Sequence, residues 1–198
     1  MKLYGTVTSP YVRRVRVVAQ EVGEDVELVD TFTEAGQAAL RAASPIWKVP
    51  TAELDGVVLF DSHSIVDALL ERRGRGALRP VAADQRWAES NFHHVVDGAL
   101  DALINVFYLA KDGVSPDEAS YLAKQRDRAA ASLRWIEGAL RGAYVTEQPT
   151  LGVTEIALLT SLEWMQFRHA YPVETHPGLV AFLAAHAERP SVASTRPG

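Results

Sequence analysis

The first part of the chain alternates between short strand-like runs and helix-like runs. Residues 2–6 and 26–30 have the pattern of short strands. Between them, apolar residues recur at helical spacing until Gly23 ends the pattern: Tyr11, Val15, Val18 and Val22. This order predicts a βαβ unit whose two strands pair in parallel.

A hairpin and two further helices complete this region. Residues 33–42 indicate a loosely specified helix that contains Gly36. Asp55-Gly56 between two apolar runs is a strong signal for a tight hairpin turn. Pro50 opens the first hairpin strand, where a missing N–H is tolerated, and a helix is predicted from Asp61 onward. The order βαβ-α-ββ-α is that of an α/β thioredoxin-like N-terminal domain.

The periodicity beyond residues 74–83 is entirely helical. That stretch contains glycine and proline and is predicted to be a linker. Asp84 is predicted to cap a long helix that reaches about Ala110. Ser115 is predicted to cap a second helix, because Pro, Asp and Glu follow it as in a capping box, and Gly142 is placed to end that helix.

A third helix is predicted to begin near Gly152, with Glu155 in its first turn. Glycine is a tolerable N-cap, so we expect this helix start to form although half of the reciprocal capping box is missing. The chain is therefore predicted to have two domains, at residues 1–76 and 84–198. The second is predicted to be an all-α helical bundle.

Composition and charge exclude several classes of function. The 198 residues are 47% hydrophobic and include no cysteine, so a disulfide framework, a thiolate metal site and a catalytic protein thiol are excluded. The formal net charge of -5 argues against a nucleic-acid-binding surface. The histidines have no metal-ligand spacing, so no metal is expected. No signal peptide or membrane span is visible, which predicts a cytoplasmic protein without membrane contact.

One stretch combines a hydroxyl with a helix start. Pro10 suits the first turn of a helix, which places Ser9 at the N-cap directly after the first strand. A helix N-terminus stabilises an anion such as a thiolate, because its backbone N–H groups and dipole are positive there. The plainer interpretation of Ser9 alone is an ordinary cap. The nearby Arg13, Arg14 and Arg16 are predicted to form a solvated helix face.

Two further stretches have both a structural and a functional interpretation. Lys48-Val49-Pro50 precedes the first hairpin strand, and Asp61-Ser62 precedes the following helix. Taken singly, Val49-Pro50 is a loop that enters a strand, Lys48 a surface charge, and Asp61-Ser62 a helix cap.

Together, in this order and spacing, the stretches resemble the bacterial cytosolic glutathione S-transferase family. In that family Ser-Pro-x-x-Arg-Lys/Arg-Val opens the first helix, as residues 9–15 do here. A Val-Pro segment with a cis proline and a Glu/Asp-Ser pair follow in the family, matching residues 48–50 and 61–62. The resemblance covers essentially the whole chain. It departs from the family at Gly152 and Glu155, where the family has a Ser/Thr-x-x-Asp box.

The resemblance implies a glutathione site with a role for each matching residue. The Val49 backbone would pair with the cysteinyl backbone of glutathione as a short β-ladder, beside a cis Pro50. Asp61 and Ser62 would hold the γ-glutamyl end, and Lys48 the glycine carboxylate. Glutathione would be the co-substrate of the protein.

The resemblance also implies a catalytic hydroxyl and a second substrate. Ser9 would hydrogen-bond the glutathione sulfur and stabilise its thiolate, with Thr8 or a backbone N–H as the alternatives. The thiolate would add to a small hydrophobic electrophile near Tyr11, Tyr108 and Trp164. The sequence identifies neither that electrophile nor whether the reaction serves detoxification or a dedicated catabolic step.

Family resemblance further implies a homodimer. A different kind of function stays open beside the transferase, because some proteins of this fold are binding or partner-interaction modules with little or no transferase activity. Glutathione binding without turnover would favour the module. A thiol oxidoreductase such as a glutaredoxin is disfavoured, because no cysteine stands at or near position 9.

Overall fold

The computed structural model describes residues 1–197, and the chain divides into two compact units. The first unit comprises Met1–Pro80 together with the segment from Ala187 onward. The second comprises Val81–His186. The C-terminal segment therefore belongs to the same unit as the N-terminal strands.

The first unit is built on a four-stranded mixed sheet. In chain order its elements are β1 (Lys2–Gly5), α1 (Pro10–Glu21), β2 (Glu27–Asp30), α2 (Glu34–Ala43), β3 (Thr51–Leu54), β4 (Val57–Phe60) and α3 (Ser62–Arg73). The strand order is β2-β1-β3-β4, with β1 parallel to β2 and antiparallel to β3, and β3 antiparallel to β4. The predicted thioredoxin-like order βαβ-α-ββ-α is confirmed.

The second unit is entirely helical, as predicted. It contains α4 (Arg86–Lys111), α5 (Ser120–Ala139), α6 (Val153–Phe167), a short 3₁₀ helix (Val173–Thr175) and α7 (Pro177–His186). Helix α4 packs against both α5 and α6. The last helix, α8 (Pro190–Ala193), follows α7 in the chain but belongs to the first unit. Among the described residues, no helix is both long and apolar enough to cross a membrane.

Two predicted helix starts are wrong. Asp84 does not cap α4, which begins two residues later at Arg86. Ser115 does not cap α5, which begins at Ser120. Instead the Ser115 hydroxyl accepts a hydrogen bond of 3.1 Å from the Asp117 N–H. Serine can bond the backbone of its own turn as readily as that of a helix, and here it closes a separate turn before the helix begins.

The arginines of α1 are not the solvated face that the sequence predicted. Arg13 and Arg14 are each 1% exposed, and Arg16 is half-buried. The C-terminal segment supplies acceptors to Arg13, whose guanidinium donates to Thr195 Oγ1 at 3.3 Å and to the Val192 carbonyl at 3.2 Å. A buried charge is tolerated only where hydrogen bonds replace its hydration, and the C-terminal segment provides two of these bonds.

A carboxylate at the end of α1 also holds the C-terminal segment. Glu21 accepts hydrogen bonds from Arg189 Nε at 2.7 Å and Nη2 at 2.6 Å, and a short one from the Ser191 hydroxyl. Burial raises the pKa of Glu21, but the bonds from Arg189 and Ser191 lower it by more. The net pKa therefore lies below its ordinary value.

This anchor gives the first unit a pH-dependent stability. A carboxyl group with a lowered pKa in the fold stabilises that fold above its unfolded pKa, here about 4.5. The contribution is lost as the pH falls through the folded pKa. We expect Glu21→Gln to lower the free energy of unfolding by about 1–2 kcal/mol at neutral pH, as for a hydrogen-bonded charged group. Urea unfolding should show the deficit narrowing in acid, whereas Glu27→Gln, on an exposed strand residue, should change little. A deficit that does not vary with pH would contradict this account.

Candidate functional site

The register of the sheet determines which loops share an edge. Tyr4 of β1 pairs with Thr51 of β3, and Thr51 pairs with Phe60 of β4. Gly5 then ends β1, Thr51 begins β3 and Phe60 ends β4. Because β3 runs antiparallel to both neighbours, the loop after β1, the loop before β3 and the loop after β4 all lie at one edge of the sheet.

These three loops contain the predicted glutathione-binding residues. Ser9 lies in the loop after β1, Lys48-Val49-Pro50 in the loop before β3, and Asp61-Ser62 at the junction of β4 and α3. Helices α1 and α3 both begin at this edge. Two helix N-termini with unpaired N–H groups make it a favourable place for carboxylate and thiolate groups.

Ser9 is the N-cap of α1, as predicted. Its Oγ accepts a hydrogen bond of 3.4 Å from the Val12 N–H, which is long for such a bond. The side chain is half-buried, and its hydroxyl proton is donated to no acceptor among residues 1–197. The neighbouring Thr8 hydroxyl lies 3.5 Å from that of Thr6. Ser9 can thus accept from the helix and still donate to a ligand.

The segment before β3 presents backbone groups next to a cis proline. The Val49–Pro50 peptide bond is cis, which confirms the sequence prediction. Within the described part of the chain, the Val49 N–H and C=O form no hydrogen bond. The Lys48 side chain is exposed, and its carbonyl accepts a hydrogen bond of 2.9 Å from Thr51 Oγ1. This arrangement leaves a short backbone edge available for pairing and a cation beside it.

Asp61 has a backbone conformation that is unusual for a residue with a side chain. Its φ is 71° and its ψ is 145°, a combination otherwise found almost only in glycine. Its Oδ1 caps α3 by accepting a hydrogen bond of 2.9 Å from the His63 N–H. Strain of this kind costs about 1–3 kcal/mol and is found most often at ligand-binding positions.

A buried contact ties the start of α3 to α1. The Ser62 hydroxyl is buried, and it accepts a hydrogen bond of 3.2 Å from Arg14 Nη1. The Arg14 guanidinium also lies 5.4 Å from the centre of the Tyr11 ring. Sequence reasoning missed this role for Arg14. The available signal was its position on the apolar stripe, one turn before Val18 and one turn after Tyr11.

The two proposed pocket residues of the helical unit both contact Phe107. Tyr108 of α4 is 56% exposed, and its ring centre lies 5.2 Å from that of Phe107. Trp164 of α6 is only 4% exposed and packs edge-to-face on Phe107, with ring centres 5.6 Å apart. Tyr108 therefore offers an open surface, whereas Trp164 reaches solvent hardly at all.

Comparison with known proteins points to one family. Residues 3–77 match the glutathione S-transferase N-terminal domain. The chain is 27% identical to the uncharacterized GST-like protein YibF of Escherichia coli (strain K12), over 100% of this chain and 98% of that protein. It is 28% identical to glutathione S-transferase 3 of Zea mays, over 98% of this chain and 92% of that protein.

Solved structures with the same fold contain glutathione. A glutathione transferase family member from Pseudomonas fluorescens Pf-5, with bound glutathione, superposes with a TM-score of 0.84 at 29% identity and covers 100% of this chain and 98% of that one. A glutathione S-transferase from Methylobacillus flagellatus KT, also with glutathione bound, gives a TM-score of 0.84 at 27% identity, with 100% and 99% coverage.

Proposed function

We propose that this chain is a glutathione transferase, because residues 3–77 match the glutathione S-transferase N-terminal domain. It would bind glutathione in its first unit and join the glutathione sulfur to a small hydrophobic electrophile. One observation carries the proposal: three loops with the family's residues lie at a single edge of the sheet. The glutathione bound in the two similar structures supports the choice of ligand.

The proposed chemistry is stabilisation of the thiolate by Ser9 and the N-terminus of α1. A free thiol has a pKa near 8.5, so only a few per cent is thiolate at neutral pH. Lowering that pKa by about two units requires roughly 2.7 kcal/mol of preferential thiolate stabilisation. A hydrogen bond to a charged acceptor contributes about 1.5–3 kcal/mol and a helix N-terminus about 0.3–1 kcal/mol, so no general base is required. The Thr8 hydroxyl and a backbone N–H are the competing donors.

The rest of glutathione would be bound mainly by backbone. The unpaired N–H and C=O of Val49 suit the cysteinyl backbone, in the manner of an added strand. The γ-glutamyl end would bind at the start of α3, near Asp61 and the Ser62 N–H, since the first N–H groups of a helix have no partner within it. The exposed ammonium of Lys48 would pair with the glycine carboxylate.

The helical unit, Val81–His186, would contribute to binding of the second substrate. Tyr108 offers an open aromatic surface for an apolar electrophile. Trp164, being almost fully buried, would act by supporting Phe107 rather than by a large contact of its own.

The role of Lys48 is testable by affinity. We expect Lys48→Met to raise the dissociation constant of glutathione about three- to fivefold, the size of an exposed ion pair near 1 kcal/mol. Lys124→Met, which removes the same charge from an exposed position on α5, should leave the constant unchanged. Glutathione esterified at glycine should bind both variants equally. Titration calorimetry measures all three, and an undiminished affinity in Lys48→Met would exclude this contact.

The function itself is tested by measuring binding and turnover together. We expect the chain to bind immobilised glutathione and to conjugate glutathione to a chlorinated nitrobenzene. Binding without turnover across a wide panel of electrophiles would instead support the binding-module alternative. Absence of glutathione binding would refute the transferase and the glutathione-binding module, and would leave only a partner-interaction module.

We also propose that the chain forms a homodimer. Large aromatic side chains are exposed on α4 and α5, among them Trp87 at 71% and Trp135 at 50%, and tryptophan is enriched at protein interfaces. Light scattering is expected to give twice the chain mass of 21.6 kDa. A species of 21.6 kDa at micromolar concentration would contradict this.

A further inference from the structure

We propose that a cavity at the C-terminal ends of α4 and α6 binds a small organic acid with an apolar body. Its volume is about 330 Å³. Its walls come from the last turns of α4 and from the residues that follow α6: Val106, Phe107, Ala110, Lys111, His169 and Ala170. A cavity of this size is at the small end of the range for ligand pockets, which suits a single ring with a short side chain.

The apolar part of the ligand would rest on Phe107. This ring is held in place on one side by Trp164, with ring centres 5.6 Å apart. Val106, Ala110 and Ala170 add small apolar walls. No aspartate or glutamate lines the cavity among the described residues. The lining therefore favours an aromatic or aliphatic body and offers no carboxylate to balance a cationic ligand.

The charged part of the ligand would meet a group of cations around the same ring. The Lys111 ammonium lies 4.7 Å from the Phe107 ring centre, and the Arg168 guanidinium lies 5.5 Å from it. Neither side chain forms an ion pair with a carboxylate in the described part of the chain. Arg168 Nε is buried and has no hydrogen-bond acceptor there. Lys111 lines the cavity, and Arg168, which does not line it, approaches the same Phe107 ring. In a chain with a net charge of -5, two neighbouring cations without a carboxylate partner favour a carboxylate ligand.

The competing explanation is that these cations only offset helix dipoles. Lys111 ends α4 and Arg168 follows α6, where positive charges are stabilising without any ligand. That explanation does not account for two cations on one aromatic ring at a cavity. If this cavity is where the helical unit binds the second substrate, the inference rests on the proposed function. The electrophile would then be one that carries a carboxylate.

Direct binding of matched probes tests the inference without any turnover. Titration calorimetry would compare 4-phenylbutyrate with its uncharged amide at neutral pH, with no glutathione present. We expect the acid to bind about fivefold or more tightly than the amide, and the preference to fall in high salt. Lys111→Met and Arg168→Met should each reduce the preference, whereas Lys124→Met, the same charge change on α5, should keep it.

Equal affinity for the acid and the amide would overturn the inference, as would a preference that survives both substitutions or a failure of the acid to bind saturably. A second arm compares kcat/KM for a chloronitrobenzoate with that for its amide. If the amide is turned over and the acid has no advantage, the transferase function stands and this inference fails. If glutathione does not bind, the proposed function fails while the probe titration still gives its own answer.

Discussion

Replacing Ser9 with alanine is expected to lower kcat/KM for glutathione conjugation about 10- to 150-fold at neutral pH. The lost interaction is a hydrogen bond to a charged sulfur, which is worth about 1.5–3 kcal/mol. Glutathione affinity should change little, because the proposed binding contacts are made by Lys48, Val49 and the start of α3. The defect should shrink at high pH, where the thiol ionises without help.

Two controls separate the catalytic role of Ser9 from other roles. Ser9 also caps α1, so its loss costs up to about 1 kcal/mol of stability, and unfolding must be measured in parallel. Its hydrogen bond from the Val12 N–H is long at 3.4 Å, so we expect the loss of stability to be smaller than that. Thr8→Ala is the matched variant one residue away. Unchanged kinetics in Ser9→Ala with an inactive Thr8→Ala would move the role to Thr8, and unchanged kinetics in both would assign it to the backbone.

Replacing Glu155 with alanine is expected to destabilise the helical unit by about 2–5 kcal/mol. Glu155 is 0% exposed, and its two carboxylate oxygens accept hydrogen bonds of 3.0 Å from the N–H groups of Val145 and Gly152. Alanine would leave both donors without this acceptor, at about 1–3 kcal/mol each. Helix α6, which begins at Gly152, is buried along most of its length.

Urea unfolding of two further variants tests this explanation. Glu155→Gln keeps one acceptor oxygen, so it should lose roughly half as much stability. Glu147→Ala removes the same charge from a side chain that is 87% exposed, and it should lose about 0.5 kcal/mol or less. A loss below 1 kcal/mol in Glu155→Ala would mean that other groups satisfy these two donors.

Local signals predicted most of the elements. Ser9-Pro10 placed the start of α1 correctly, and Asp55-Gly56 placed the hairpin turn between β3 and β4. Gly152 was expected to be a tolerable cap, and α6 does begin directly after it, where Glu155 accepts a 3.0 Å hydrogen bond from the Gly152 N–H. Each of these signals acts within a few residues, which is why a single sequence contains it.

What the sequence could not predict depends on contacts between distant residues. Arg13 is buried because Thr195 and Val192, which are distant in sequence, accept its hydrogen bonds. No residue close to Arg13 in the sequence indicates this contact. Ser115 resembles a helix cap but closes a turn, since serine satisfies either geometry equally well. The common edge of the three site loops follows from the register of β1, β3 and β4, which the chain order alone leaves open.

The pKa of the glutathione thiol bound to the protein tests thiolate stabilisation by Ser9 most directly. Ultraviolet absorbance of the thiolate can be titrated against pH at saturating protein, for the unaltered chain and for Ser9→Ala. We expect a bound pKa about two units below that of free glutathione, rising by at least one unit in Ser9→Ala. A bound pKa equal to the free value, or one that Ser9→Ala leaves unchanged, would contradict stabilisation of the thiolate by this hydroxyl.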